Sequence, residues 1–328
     1  MNRKFLTEMF HRFNSSGQFS GIVNMDLTAI PHWGDASVLE NNLSGKRGKA
    51  LKSVLALLTQ DPDSGIFCYS DAEVKEKQRA ECVLQFVDFW RQSGESPSCL
   101  IFDSKFTTYQ HLERLDRDNI KFITLRRRGK RLINEYEKIP RERKERIQIE
   151  GPGRKYKRVE VYESEIVLPK PECSLRQIVL SDHGREKPSF MITNDRERSA
   201  AAIVRQYGRR WNIEKGISEQ IEFFHLNSFS SSIVVKVDFD LTMTIAAHNF
   251  YRIMAQYLKG FERETSSSLS SKFFNNGGQF TIDNDKIIIH MKKKRHLPIL
   301  MEALESFKEP KIPWLDGRKL VFKLWTTL

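Results

Sequence analysis

The sequence predicts an α/β fold, a mixed sheet flanked by helices, on three observations. Residues 20–30 alternate in polarity as a half-buried strand does. The run Asp61-Pro62-Asp63-Ser64-Gly65 is strong turn chemistry between two apolar segments. Two further short apolar runs, 98–103 and 120–125, each follow or precede a helical repeat. A hairpin-rich start followed by strand–helix alternation builds a sheet with an antiparallel and a parallel half.

Each element follows from its own residues. In the first strand Ile22, Asn24, Asp26 and Thr28 share one face, and Val23, Met25, Leu27 and Ala29 share the other. A polar, Gly-rich loop covers residues 31–49. Residues 51–59 are ambiguous by period alone, but the turn after them pairs them with a strand at 66–69 as a hairpin. Over residues 72–92, Cys82, Val83, Phe86, Val87, Phe89 and Trp90 recur at helical spacing, and Gly94 stops the helix. A buried strand at 98–103, a helix at 107–115 and a strand at 120–125 complete the series. Strand-strand-strand-helix-strand-helix-strand is the arrangement of an RNase H-like sheet. Its first and fourth strands lie side by side, which makes Asp26 and Asp103 neighbours.

Residues 127–192 break the pattern. Strands at 159–167, 176–180 and 190–193, separated by Gly-Pro-Gly, Pro-Lys-Pro and His-Gly turns, read as a β-rich insertion and not as a continuation of the α/β layer. Asn194 and Glu197 then form a capping-box pattern. It opens a single helix with the apolar stripe Ile203, Val204, Tyr207, Trp211, Ile217 and Ile221, which Gly208 and Gly216 weaken by about 1 kcal/mol each against Ala. Residues 240–258 read as another core helix. Beyond the Ser-rich stretch 266–271 come a strand at 286–291, a basic run at 292–295 and a helix at 298–307. The expected division is 1–126 for the first part of the sheet domain, 127–192 for the insertion, 193–262 for the helices that complete the domain, and 263–328 for a small C-terminal unit. There is no internal repeat.

The composition bounds the partner. The chain has 328 residues, 39% hydrophobic and 29% charged, with 22 Phe and 5 Trp, so a sizeable core is available. Its formal net charge is +12, and residues 121–158 alone hold 15 Lys and Arg against 5 Glu. A charge excess concentrated in one segment suits a polyanion, with nucleic acid the first candidate, although a solvated basic hairpin has the same composition. Four dispersed cysteines without a CxxC pair argue against zinc or a disulfide framework and for a reducing cytoplasm. No signal-peptide core opens the chain, and the longest apolar stretch is interrupted by His248, Asn249 and Arg252, so no membrane partner is expected.

Three acids stand in telling places. Asp26 lies in Gly-Ile-Val-Asn-Met-Asp-Leu-Thr-Ala-Ile, Asp103 closes Cys-Leu-Ile-Phe-Asp, and Glu214 ends Tyr-Gly-Arg-Arg-Trp-Asn-Ile-Glu. A carboxylate at the end of a buried strand is costly unless it is paired or binds a cation. Two such strands and a helical Glu converging on a divalent metal pair are the equipment for cutting and rejoining phosphodiesters. Each acid also has a plainer reading: Asp26 as a turn cap, Asp103 as a helix N-cap, Glu214 as a helix partner of Arg210. Glu219 and then Glu222 are the substitutes for the third acid. His32 and Asp35 either order a loop or approach the acids. Trp211 reads as core, with stacking on an unpaired base as the alternative.

Tyr207, Arg210 and Glu214 fall at i, i+3 and i+7, on one face of a helix. This spacing resembles the Y-x2-R-x3-E-x6-K signature of bacterial insertion-sequence DDE transposases of the insertion-sequence-four group. The two aspartates and the position of the β-rich insertion match that family as well, over roughly residues 20–260. The resemblance implies that Asp26, Asp103 and Glu214 bind two Mg2+ ions, with Mn2+ as a substitute. It also implies cut-and-paste transposition, with the double-stranded DNA of element ends and target as partner, a homodimer in the synaptic complex, and a nucleoid-associated cytoplasmic location. Tyr207 and Arg210 inherit contacts to phosphates, and Arg126, Arg127, Arg128 and the basic insertion grip the ends. The family Lys falls on Ile221, so that strand contact is either lost or supplied elsewhere, with Lys215 the candidate. The family also carries an N-terminal DNA-binding region, whereas 25 residues precede Asp26 here. A shortened or domesticated DNA-binding derivative, or a nuclease of the same fold, are therefore the alternative readings.

Overall fold

The computed structural model describes residues 2–31, 40–44, 49–149, 157–169, 172–227 and 234–325. The chain divides into two units, one of residues 1–221 with 225–246, the other of residues 222–224 with 247–328.

The first unit opens with helix α1 (Asn2–Ser15), whose Leu6, Met9 and Phe10 enter the core. Strands β1 (Ile22–Pro31), β2 (Glu40–Ser44), β3 (Lys49–Gln60) and β4 (Phe67–Val74) follow. Helix α2 (Cys82–Arg91), strand β5 (Cys99–Phe102), helix α3 (Tyr109–Arg117) and strand β6 (Lys121–Leu125) make the alternating half. Next come helix α4 (Lys130–Glu137) and strands β7 (Glu145–Gln148), β8 (Arg158–Pro169), β9 (Glu172–Ser181) and β10 (Ser189–Thr193). Helices α5 (Ala200–Gly208), α6 (Trp211–Glu222) and α7 (Val234–Tyr257) end the series, α7 running on into the second unit.

Among the described residues ten strands form one sheet, with path β2-β3-β1-β5-β6-β10-β9-β8-β7 and β4 on β3. β1 is antiparallel to β3 and parallel to β5, and β5 is parallel to β6. The strands β4-β3-β1-β5-β6 therefore run three antiparallel, then two parallel, with the hairpin and the βαβαβ half expected for an RNase H-like mixed sheet.

The insertion corrects one expectation. β10 pairs antiparallel with β6, and β9, β8 and β7 add on outward, so these strands prolong the same sheet. The His-Gly and Pro-rich turns signalled hairpins correctly, but turn chemistry does not say which edge a hairpin joins. Three other expectations also change. β4 runs on to Val74, which shortens the helix expected over 72–92 to α2. Ser199, not Asn194, caps α5 by accepting from the Ala202 N–H. Asn194 instead accepts from the Phe122 N–H and donates to the Ile120 carbonyl. The single expected helix is two, α5 and α6, broken at Arg209 and Arg210.

The sheet separates two cores, as alternation requires. Leu100 and Phe102 of β5 face a cluster with Val83, Phe86 and Val87 of α2 and Leu112 and Leu115 of α3. Cys99 and Ile101 face the other, with Ile203 and Val204 of α5. All four β5 side chains are buried, which is why this strand reads as an unbroken apolar run.

The second unit holds helix α8 (Ser266–Leu269), strands β11 (Gly278–Ile282) and β12 (Lys286–Met291), helix α9 (Leu297–Leu304) and strand β13 (Lys319–Leu324). Its three strands form a sheet of their own in the order β11-β12-β13. Leu269, Phe273, Leu297 and Leu300 pack with Ala255 and Leu258.

Candidate active site

The parallel register of β1 and β5 aligns Asn24 with Ile101 and Met25 with Phe102. One step further along both strands lie Asp26 and Asp103. Asp103 keeps extended backbone just past β5 (φ −77°, ψ 162°), so alternation carries it to the Ile101 face, and Asp26 shares the Asn24 face. Asp26 accepts from the Leu27 N–H at 2.9 Å. Asp103 accepts from the Ser104 N–H and from Ser104 Oγ, so it also caps the turn that follows it.

The break between α5 and α6 brings the rest of the constellation to this face. Gly208 ends α5, and Arg209 and Arg210 form a turn before Trp211 starts α6. Asn24, fully buried, donates from Nδ2 to the Arg209 carbonyl at 2.9 Å. The Arg209 guanidinium donates to the Pro62 carbonyl at 2.9 Å and pairs with Asp63. The turn is thus held from β1 on one side and from the β3–β4 connection on the other.

Arg210 sits where these anchors put it. Its Nη1 donates to Asp26 Oδ2 at 3.2 Å and its Nη2 to Glu214 Oε1 at 2.6 Å. Its side chain is only 10% exposed, and its Nε is buried without a hydrogen-bond partner. The guanidinium also lies 5.9 Å from the centroid of the Tyr207 ring. Tyr207, Arg210 and Glu214 therefore meet, but from two helices and the turn between them, not along one helix face. Glycine at 208 is what a reading by period alone undervalued.

The electrostatics follow from burial. Desolvation raises the Asp26 carboxyl above its ordinary value, against the opposing pull of Arg210 and of the Leu27 N–H. Burial likewise pushes the Tyr207 phenol up to about 12, with Arg210 opposing and Asp103 and Asp26 adding to the rise. For Arg210, burial works against the charge, but Tyr207, Asp26, Glu214 and Asp103 outweigh it and hold the guanidinium above its ordinary value. Lys105 adds a cationic influence on Asp26 that eases its ionisation.

The donor set at this site consists of hard carboxylate oxygens, the kind that suits Mg2+ or Mn2+. Among the described residues, no three His, Cys, Asp or Glu side chains stand together at metal-binding spacing. Arg210 supplies the positive charge between Asp26 and Glu214. The carboxylates fit a divalent cation in chemistry, and a guanidinium spans two of them.

The other expected residues are dispersed around this centre. Lys215 is exposed on α6, and Ile221 packs against the larger core. Trp211, expected in the core, is 52% exposed, because the helix break turns the first residue of α6 outward. Arg126 donates to the Tyr109 hydroxyl at 2.8 Å and to Gln177 Oε1 at 3.1 Å. Arg127 is exposed, and Arg128 reaches the Lys187 and Pro188 carbonyls. His32 and Asp35 lie outside the described residues, as does the Gly-Pro-Gly turn. Three contributors were missed. Asn24 and Arg209 carry no chemistry of their own and show only as contacts. Lys105 was visible two residues past Asp103, in Asp-Ser-Lys.

A family model for the transposase DDE domain matches residues 35–250, about two thirds of the chain. The chain belongs to the DDE transposases. The matched stretch of this transposase includes Asp103, Tyr207, Arg210 and Glu214, and Asp26 precedes it. Among solved structures, a piggyBac transposase synaptic complex with hairpin DNA, determined by electron cryomicroscopy, is similar over 70% of this chain and 48% of its own, at 12% identity and a TM-score of 0.40. The chain thus spans about half the length of that transposase. No curated protein matches the sequence. Among the described residues, no helix of the transposase is long and apolar enough to cross a membrane.

Proposed function

We propose that this transposase belongs to the insertion-sequence-four group and moves its element by cut-and-paste, with Asp26, Asp103 and Glu214 as its acidic triad. The observation that carries the reading is the shared guanidinium: Arg210 joins Asp26 of β1 to Glu214 of α6, on the sheet face that also bears Asp103. Asp26 and Glu214 come from distant parts of the chain and share one buried guanidinium, an arrangement that ordinary packing does not require.

In this reading Asp26, Asp103 and Glu214 would hold two Mg2+ ions, whose chemistry when bound would be nucleophile activation and stabilisation of the leaving oxygen. Arg210 and Tyr207 hold the phosphate beside the cut. The fork of Arg210 suits two phosphate oxygens at once, and the Tyr207 phenol stays protonated and able to donate. The exposed Lys105 and Lys215 would neutralise backbone phosphates of a bound strand. Arg127, Arg128 and the basic insertion grip the double-stranded DNA further out, Arg126 bracing the strand ends through Tyr109 and Gln177. Residues 1–126 and 193–262 form the catalytic domain, 127–192 the insertion and 263–328 the C-terminal unit. Two chains act together at two ends.

The test is Mg2+-dependent cleavage of duplexes carrying the flanking ends of the element. Wild type is expected to cut and join them, and Asp103→Ala to bind the duplex without cutting. Cleavage that survives Asp103→Ala removes Asp103 from the mechanism. Cut ends without joined product assign the chain to nuclease action alone.

A further inference from the structure

Arg210 occupies a position that two different ligands want. Both of its terminal nitrogens are committed to carboxylates, at 3.2 Å to Asp26 and 2.6 Å to Glu214. A divalent cation on those oxygens would face a guanidinium a few ångströms away, and the two positive charges would repel in a site that is largely withdrawn from water. The present pairing is also incomplete, because Nε is buried and makes no hydrogen bond. Leaving a buried donor unpaired costs about 1–3 kcal/mol. A phosphate engaged by a guanidinium edge would satisfy that nitrogen. Arg210 further belongs to the turn between α5 and α6, outside both helices.

We infer that Arg210 is a displaceable internal counter-ion: in the absence of DNA it neutralises Asp26 and Glu214, and its transfer to a DNA phosphate releases those carboxylates for metal. The inference rests on the proposed metal-ligand role of the acids. It makes DNA and metal binding mutually reinforcing, since each removes the obstacle to the other, and such coupling is reciprocal. It also leaves the metal site weak until a strand is in place, which guards against unguided cleavage. Arg210 is a positioning residue in this scheme, with no bond made or broken at its own atoms.

The experiment is a Mn2+ titration of the full chain, following free Mn2+ by electron paramagnetic resonance. It is run with and without a short blunt duplex of arbitrary sequence, and the Mn2+ held by duplex alone is subtracted. Wild type is expected to bind Mn2+ about tenfold tighter with the duplex, within the usual range of such couplings. Arg210→Gln is expected to bind Mn2+ about tenfold tighter than wild type without duplex, and to gain nothing further from it. Arg210→Lys, which keeps the charge, is expected to stay weak without duplex. Equal Mn2+ affinity for wild type with and without duplex, or weaker binding by Arg210→Gln, overturns the inference and leaves the triad standing. Mn2+ binding unchanged by Asp26→Asn overturns the triad itself and the inference with it. If Arg210→Gln does not fold, the wild-type comparison with and without duplex decides alone.

Discussion

Asn24 donates its side-chain amide to the main-chain carbonyl of Arg209 at 2.9 Å, joining the strand that carries Asp26 to the turn that carries Arg210. The bond runs from a fully buried side chain two residues ahead of one acid to the residue just before its guanidinium partner. Asn24→Leu leaves the Arg209 carbonyl without this donor. The expected loss is about 1–3 kcal/mol in denaturant unfolding. The rate of strand cleavage should fall while duplex affinity changes little, because the turn that presents Arg210 to the scissile phosphate loses its tie to β1. Unchanged cleavage by a folded Asn24→Leu protein would remove this bond from the positioning of the site.

Gly216 is a second point of close approach. A Cβ there would lie 2.8 Å from Gln60 Nε2 and 2.8 Å from the ring of Phe67. Phe67 is fully buried and has no room to retreat. Helix propensity favours Ala at this position by about 1 kcal/mol. Overpacking reverses the sign, and Gly216→Ala is expected to destabilise by about 1–3 kcal/mol. A thermal melt that rises on this substitution would contradict the packing of α6 on β3 and β4.

Asp61 organises the β3–β4 turn. It is fully buried, and it accepts from the Ser20 N–H at 2.6 Å, from Ser20 Oγ at 2.7 Å, and from the Asp63 and Ser64 N–H groups at 2.8 and 2.9 Å. Asp61→Ala strands several donors at once, and the expected cost is on the order of 3–5 kcal/mol. Asp61→Asn, which keeps an acceptor oxygen, should recover part of that loss in the same melts.

His248 on α7 gives a pH signature. Burial, helped by the Arg252 charge, pushes its imidazole down to about 3. The unfolded chain takes up a proton near the ordinary value of 6.5, where the folded chain stays neutral. The stabilisation is therefore complete above pH 6.5 and is lost as pH falls toward 3, at up to about 1.4 kcal/mol per pH unit. His248→Gln should show a shallower loss of stability between pH 6.5 and 4.5. Parallel curves for the two proteins would mean that His248 is protonated in the folded state.

Much of this was legible in the chain because it depends on local rules. The alternation of residues 20–30 and the unbroken apolar run at 98–103 fix which face each side chain takes, so the adjacency of Asp26 and Asp103 follows once the strand order is known. The illegible parts depend on tertiary contacts. The break at Arg209 is stabilised by Asn24, Pro62 and Asp63, none of them near it in sequence, and a stripe at helical period runs across it unbroken. The helix α1 was readable, since Leu6, Met9 and Phe10 have helical spacing. The attachment of β10 to β6 is a matter of which strand edges pair, and side-chain alternation along a strand does not specify that.

That attachment has a mechanical consequence. β10 meets β6 through Met191 opposite Leu125, Ile192 opposite Thr124 and Thr193 opposite Ile123, so the basic arm shares one continuous hydrogen-bonded platform with the strands that bear the aspartates. A hairpin tethered by a linker could pivot; one woven into the platform keeps its span. On the proposed function, a duplex gripped along the arm would meet the acids at a set number of base pairs from the grip, and the protein would act as its own ruler for where the strand is cut.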